Sequence, residues 1–432
     1  MNIVQQAKAL QAEAVALRRK LHQYPEWSFG EFRTATLIVQ RLRELGYTVL
    51  TGRAVCDPAA IPCLPSEEQT AQWARRAIEE GADPDLVAQM KGGLTGVVGI
   101  LKSEKPGKTV AFRFDIDCNA IDESADPAHR PAVEGFASRH ERSMHACGHD
   151  GHTAIGLTLA KLLSDRRDTL CGTVKLIFQP AEEGVRGAKA MVAAGVVDDV
   201  DCFFSGHIGI NQTESHTLAA SVGEFLAVRK YEAIFTGKSS HAGLAPQEGR
   251  NALLAAAHAT LALHSIPRHA DGKSRINVGI FNSGGSINAV PDRARIAFET
   301  RGETSEINAF LSNEAERIIR ASADLQGVDV TLRIMGEADS FEPDPALAEE
   351  VALLAESLGI YTAVDRYRPM IASEDCTAFL RRVTERGGKA AYLMFGAKLA
   401  AVHHNPQFDF DESVLWETVA LLAALTEKYT TL

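Results

Sequence analysis

No stretch of the sequence approaches the roughly 18 consecutive apolar residues that a membrane-spanning helix requires. A basic stripe is also missing: 45 Lys and Arg face 56 Asp and Glu, a formal net charge of −11. That balance argues against nucleic acid and anionic membrane surfaces as partners. Cysteine is present without being organised. Seven are scattered along the chain, an odd number with no framework spacing, so reduced thiols rather than disulfides are expected. Internal repeats and low-complexity tracts are absent. The first residues, Met1 to Arg19, read as an amphipathic helix with neither an apolar core segment nor a cleavage site. No signal peptide is expected, and the expected compartment is the cytoplasm.

What is there is a soluble globular composition, 45% hydrophobic and 23% charged, in a chain of 432 residues. That length suits two domains, each able to bury a core. Two helices open the chain. The first carries Leu10, Ala14, Leu17 and Leu21 at helical spacing, and the second spans residues 31–45 and stops at Gly46. Residues 56–93 form a polar insertion, with Pro58, Pro62 and Pro65 ahead of a helical pattern over 66–90. It reads as a surface excursion without chemistry of its own.

Apolar, β-branched strands then alternate with helices. Strands are expected over 97–101, 109–114, 173–178 and 200–205, and helices over 153–163 and 188–194. This rhythm predicts an α/β domain whose mostly parallel sheet carries helices on both faces. At about residue 226 the order changes to strand, helix, strand, strand, helix, strand, running to residue 335. That is the ferredoxin-like split βαβ unit, βαββαβ, and it predicts a self-contained inserted domain. The first domain resumes with a helix over 345–358, a strand over 389–395 and a last helix capped by Asp411.

The chemistry concentrates first in Met144–Thr153. It packs one thiol (Cys147), three imidazoles (His145, His149, His152) and one carboxylate (Asp150) into a glycine-punctuated stretch. Such a stretch suits a metal ion. Four apolar strands run into further polar residues: Asp115-Ile116-Asp117, Gln179 to Gly184 with Glu182-Glu183, Gly206-His207, and, after a short loop, His403-His404-Asn405-Pro406. Ligands of open α/β sheets bind beyond the carboxyl ends of the strands, so these ends and the Cys147 stretch are expected to converge on one cleft. Taken singly, each has a structural reading: a core thiol, a solvated turn, a core histidine, a surface pair. Their shared position at strand ends favours the functional one.

Thiolate with imidazole suits zinc, and carboxylate with imidazole also admits manganese or cobalt. Five candidate ligands exceed what one tetrahedral ion takes, so two divalent ions sharing a ligand are expected. In a paired Glu-Glu, one carboxylate can hold metal while its neighbour takes a proton from water.

The segments "MHACGHDGHTA", "IFQPAEEG", "GHIG", "GKSSHAG" and "HHNPQFDFDE" together resemble the binuclear metallo-amidohydrolases that include carboxypeptidase G, aminoacylases, hippurate hydrolases and plant auxin-conjugate hydrolases. The resemblance covers essentially the whole chain. It implies a catalytic domain over 1–225 and 338–432 and a lid or dimerisation domain over 226–337. It implies Cys147, His149, Glu183, His207 and His404 as ligands of two manganese or zinc ions, with Cys147 as the bridge. His403 is the competing choice for the last ligand; His404 directly precedes Asn405-Pro406. Glu182 matches the general base, and Asp117 matches the carboxylate that orients a ligand imidazole.

In the lid, His241 matches an oxyanion-stabilising histidine that reaches a partner subunit's site. Asn288 matches a substrate contact, and Arg301 is a candidate for the substrate carboxylate. Ser373-Glu374-Asp375 matches a motif of structural hydrogen bonding. One departure stands out: the family's usual Asp-Ala-Leu-Pro run is replaced by Asp117-Cys118-Asn119-Ala120, which bears on the substrate pocket rather than the metal site. The implied reaction is hydrolysis of an N-acyl amino acid, with p-aminobenzoyl-glutamate the expected substrate and aminoacylase- or dipeptidase-type substrates the alternative. The implied assembly is a homodimer through the lid or a heterodimer with a homologous chain, and activity only with such a partner is a further alternative.

Overall fold

The computed structural model describes residues 1–431. Contacts within the chain divide it into two compact units, Met1–Gly223 with Phe341–Met370 and Asp375–Leu432, and Glu224–Ser340 with Ile371–Glu374.

The first unit is built on an eight-stranded sheet. Its centre is four neighbouring parallel strands, Thr173–Gln179, Thr109–Asp115, Cys202–Ile208 and Lys389–Phe395. Because they run the same way, their carboxyl ends open on one edge. Antiparallel strands Thr48–Thr51 and Val97–Lys102 extend one side, and the short strands Thr217–Ala219 and Ala363–Asp365 extend the other. The central strands are apolar almost without interruption because both faces are covered. On one face Phe112, Phe204 and Leu393 join the core beneath helices His149–Asp165 and Leu415–Thr430. On the other, Phe203 stacks on Phe379 of helix Thr377–Glu385, with ring centroids 5.5 Å apart.

Several boundaries differ from the sequence expectation. Helix His149–Asp165 begins four residues early, directly after the left-handed turn at Gly148 (φ 92°). His149, Asp150 and His152 therefore stand on its first turn, not in a loop. At Gly156 a Cβ would come within 2.7 Å of both Phe114 and Phe178. The helix lies that close to the sheet only because the residue is glycine. Strand Cys202–Ile208 continues through Gly206 and His207, which the expectation placed beyond its end. Helix Thr377–Glu385 and the short strands were not expected. The insertion's helix divides into Glu67–Glu79 and Pro84–Gln89: the first run stops just ahead of the left-handed Gly81 (φ 95°), and Asp83 caps a new start with Pro84 at its first position.

The second unit is a four-stranded antiparallel sheet in the order Asp329–Ala338, Ala227–Thr236, Arg293–Gly302, Ser274–Ser283. Helices Ala252–His264 and Ser305–Gln326 close its core with Ala255, Ala259, Leu311 and Ile319. The element order is βαββαβ, the ferredoxin-like arrangement.

The N-terminal helix Gln11–His22 is fastened to helix His149–Asp165 by a buried guanidinium. Arg18 reaches Asp150 at 2.7 Å, Asp409 at 3.0 Å and Glu412 at 3.2 Å, and its plane lies 4.5 Å from the centre of the Phe410 ring. Burial alone would raise the Asp150 carboxyl; Arg18 and His22 outweigh it and hold the group well below the usual carboxylate range. Asp409 and Glu412 are lowered in the same way.

Replacing Arg18 by Met should therefore cost about 3–5 kcal/mol at pH 7, because it leaves buried carboxylates uncompensated. The depressed carboxyl groups contribute stability above their unfolded pKa of about 4 and lose it as pH falls below that. Denaturant unfolding of both proteins should show the difference narrowing below about pH 4; a loss of equal size at every pH contradicts this reading.

Candidate active site

Cys147 lies at the centre of two overlapping groups of metal-binding atoms. One is Cys147, His149 and His207, and the other is Cys147, Glu183 and His404, with the donor atoms of each group within 4.8 Å of one another. The imidazoles are oriented by backbone carbonyls. The Nδ1–H of His207 donates to the Ile208 carbonyl at 2.8 Å, which leaves Nε2 facing the Cys147 Sγ at 3.4 Å. The Nδ1–H of His149 donates to the Asp117 carbonyl at 2.9 Å. Its Nε2 is buried without a hydrogen-bond partner, as is Oε1 of Glu183.

Orphaned polar atoms of this kind are expensive unless an ion takes them up. A thiolate, imidazoles and a carboxylate suit a divalent cation such as zinc or manganese. The residues present therefore fit the metal that the sequence implies. The local field agrees. Burial opposes charge on His149, but Asp115, Asp117 and Glu183 outweigh it and push the imidazole up to about 10.

The two C-terminal histidines separate. His404 sits in a left-handed backbone conformation (φ 64°) and brings Nε2 to 3.5 Å from Glu183. Nε2 of His403 is taken by the Ile208 carbonyl at 3.0 Å, and its ring packs on Phe408.

Asp117 ties this group to the Glu182-Glu183 turn. Its carboxylate accepts from Ser28 Oγ at 2.7 Å and from the backbone amides of Glu182 and Glu183, both at 3.1 Å. It also lies 3.3 Å from Nδ1 of His149. Ala181 and Val185, which flank the turn, both adopt positive φ (57° and 52°), a strained conformation for residues with a Cβ. The Ala181 amide donates to Glu31 at 2.9 Å, and burial together with Asp117 pushes the Glu31 carboxyl up to about 8. The result brings carboxylate oxygens of Glu182 and Glu183 each to 3.9 Å from Nε2 of His149.

The remaining residues of the motif stretch act behind this group. His152 is bound on both nitrogens, to Asp115 at 2.5 Å and to the Ile208 amide at 3.0 Å. His145 is buried, and burial lowers it to about 3, so it is neutral. Asp375 accepts from the amides of Gly187 and Ala188 at 3.1 and 3.0 Å, a structural role. Sequence reasoning passed over Ser28 and Glu31, which hold the turn from below. Ser28 lies between two helices, where polar residues usually mark a solvated linker, and Glu31 stands at the expected start of the second helix, where a carboxylate usually serves the helix terminus.

In the second unit, His241 and Asn288 are exposed neighbours, because His241 bridges Ala289 and the Ala242 amide donates to the Asn288 carbonyl at 3.0 Å. The Arg301 guanidinium is engaged by Glu299 of its own strand, at 2.8 and 3.1 Å.

A cleft of about 520 Å³ adjoins Glu183 and Gly184. Part of its wall comes from Cys63, Leu64, Pro65 and Trp73, all in the segment expected to be a surface excursion. The insertion thus borders the site, which revises that expectation. A larger hollow, about 920 Å³, opens where strands Cys202–Ile208 and Lys389–Phe395 begin. It is the wrong end of a parallel sheet for a ligand, and its charges pair with one another, as Lys389 does with Glu350 at 2.9 Å.

The model of peptidase family M20/M25/M40 matches residues 111–428. Indole-3-acetyl-aspartic acid hydrolase of Enterobacter agglomerans is 46% identical over 423 residues, 96% of this chain and 96% of that protein. One of the subunits of p-aminobenzoyl-glutamate hydrolase from Escherichia coli K12 is 46% identical over 407 residues, 94% of this chain and 93% of that protein. Among solved structures, an aminobenzoyl-glutamate utilization protein from Klebsiella pneumoniae matches with a TM-score of 0.85 at 37% identity, over 99% of this chain and 98% of that one.

Because Asp117 aligns both an imidazole and the acidic turn, Asp117→Asn should weaken metal binding about 10–100-fold, the range found when a group supporting a ligand is changed. Chelator competition measures it; an unchanged affinity contradicts the role given to this carboxylate.

Proposed function

The chain belongs to the M20/M25/M40 peptidase family and is a metal-dependent amidohydrolase, and on that footing we propose that it cleaves the amide between an aromatic acyl group and an acidic amino acid, with p-aminobenzoyl-glutamate as substrate. The observation that carries the mechanism is the pair of donor groups sharing Cys147, with Glu182 3.9 Å from His149. The substrate reading draws on the relatives: two proteins at 46% identity are named for an indole-3-acetyl-aspartic acid and a p-aminobenzoyl-glutamate. Both names combine an aromatic acyl group with a dicarboxylic amino acid.

In this proposal Cys147, His149, Glu183, His207 and His404 would hold two divalent ions, manganese or zinc, Cys147 being a member of both donor groups. Such ions, when bound, lower the pKa of water and polarise the scissile carbonyl. Glu182 takes the proton of the attacking water and returns it to the leaving amine. Asp117 keeps the His149 ring and the Glu182 turn in one frame. From the lid, residues 226–337 in this proposal, His241 supplies a hydrogen bond to the developing oxyanion. Asn288 contacts the substrate, and Arg301 exchanges Glu299 for a substrate carboxylate. The assembly is proposed as a homodimer through the lid or a heterodimer with a homologous chain, since the Escherichia coli relative is named as one component of a larger hydrolase. Indole-3-acetyl-aspartate is the second substrate reading, favoured by the equal identity of its hydrolase.

Glu182→Gln should lower kcat by about 10²–10⁴-fold, the usual contribution of a positioned acid–base group, with metal content by elemental analysis unchanged. Hydrolysis at a comparable rate would falsify the assignment. In a substrate panel, both aromatic conjugates should exceed aliphatic N-acyl amino acids in kcat/KM. An aliphatic preference of about tenfold, some 1.4 kcal/mol, contradicts the substrate proposal.

A further inference from the structure

The cleft beside Glu183 is not explained by metal binding or by proton transfer. We propose that the insertion over residues 56–93 builds the subsite for the planar aromatic acyl group of the substrate, with Trp73 and Trp27 as its walls. This rests on the amide-hydrolysis reading and adds the residues that choose the acyl group.

Position comes first. The cleft shares Glu183 and Gly184 with the catalytic turn, and its floor is Cys118, Asn119 and Ala120. Those three follow Asp117 directly, and they are the residues at which the chain departs from the family's Asp-Ala-Leu-Pro run. The change in sequence and the extra wall therefore meet in one place.

The chemistry of the walls selects a ring. Trp27 and Trp73 stand edge to face, with centroids 6.0 Å apart and planes at 83°, and Leu64 and Pro65 add apolar surface. Flat aromatic groups gain most from such surroundings. The volume, about 520 Å³, accommodates either a benzoyl or an indolyl group. Charge at the cleft comes from Glu183 and one guanidinium. Among the described residues Arg186 is the one cation lining the cleft. Its guanidinium donates to the Cys63 carbonyl at 3.3 Å and lies 5.1 Å from the centre of the Phe29 ring, while its Nε is buried without a hydrogen-bond partner.

The wall is also held in place. A Cβ on Gly30 would lie 2.9 Å from the Trp73 ring, so the indole rests directly on that backbone. The insertion closes at Gly93 (φ 81°), where a Cβ would lie 2.6 Å from the Phe29 carbonyl. Arg186, two residues past Gly184, ties Cys63 back to the catalytic turn. A wall fixed in this way loses little freedom when a ring enters.

The test uses the full chain loaded with manganese and two glutamate conjugates, p-aminobenzoyl-glutamate and N-acetyl-glutamate. Trp73→Ala should lower the ratio of kcat/KM for the aromatic over the acetyl substrate about tenfold, mainly through KM, and Trp73→Phe should restore most of it. If Trp73→Ala melts below the assay temperature, Leu64→Ser and Trp73→Phe read the same ratio. A ratio that does not move, or a parallel loss on both substrates, overturns the proposal. Calorimetric titration with p-aminobenzoate reads the pocket independently of turnover. Binding to the wild type that weakens about tenfold in Trp73→Ala supports the subsite even if neither amide is cleaved. No binding to the wild type, or equal binding to the variant, overturns it.

Discussion

Asp117 has to satisfy an imidazole and a backbone turn at once. A carboxylate offers about four acceptor sites, and this one spends them on Ser28, on the amides of Glu182 and Glu183, and on the edge of His149. The arrangement depends on strand register. Asp115 pairs with Gln179 across parallel strands, and the Ile116 amide continues the ladder to the Gln179 carbonyl at 3.1 Å. Two residues further on, Asp117 meets the turn that follows Gln179. The strained backbone at Ala181 and Val185, of order 1–3 kcal/mol each, is held by these bonds. Both the imidazole and the proposed base therefore take their positions from one residue, the imidazole chiefly from its backbone carbonyl and the turn from its carboxylate.

Buried acids in the first unit fall into two kinds. Asp150, Asp409 and Glu412 have a cation of the chain's own in Arg18, and Asp115 has Arg113 at 2.7 Å. Asp117 and Glu183 face imidazoles and amides instead. Asp115 together with these two raises His149 to about 10, and Asp117 contributes to a Glu31 carboxyl near 8. The first kind fastens helices together. The second leaves an excess of negative charge in a water-poor place, the electrostatic setting in which the proposed two-ion centre belongs.

Much of this was legible in the sequence, and the reasons are local. Apolar runs that end abruptly in Asp, Glu or His marked the parallel strands and the edge on which they open. The change to βαββαβ order marked the second sheet. Boundaries were harder where chemistry displaces the usual pattern. His149 to His152 carries no apolar periodicity, so the first turn of its helix read as loop. Gly206 interrupts a strand that nevertheless runs through His207. Ser28 and Glu31 act through contacts with Asp117 and Ala181, far along the chain, and no spacing announces that. The same holds for the insertion: nothing local to Cys63, Leu64 or Trp73 shows that they stand beside Cys118 and Glu183.

Cys147 is the member common to both donor groups, and the proposed chemistry turns on it. Its position just ahead of the Gly148 turn lets a single thiolate face His207 on one side and Glu183 on the other. The most direct measurement is anomalous diffraction from crystals of the full chain loaded with manganese or zinc. Two ions are predicted, with the Cys147 sulfur in the coordination sphere of each. One ion only, or two ions with Cys147 bound to neither, would contradict the shared-thiolate centre.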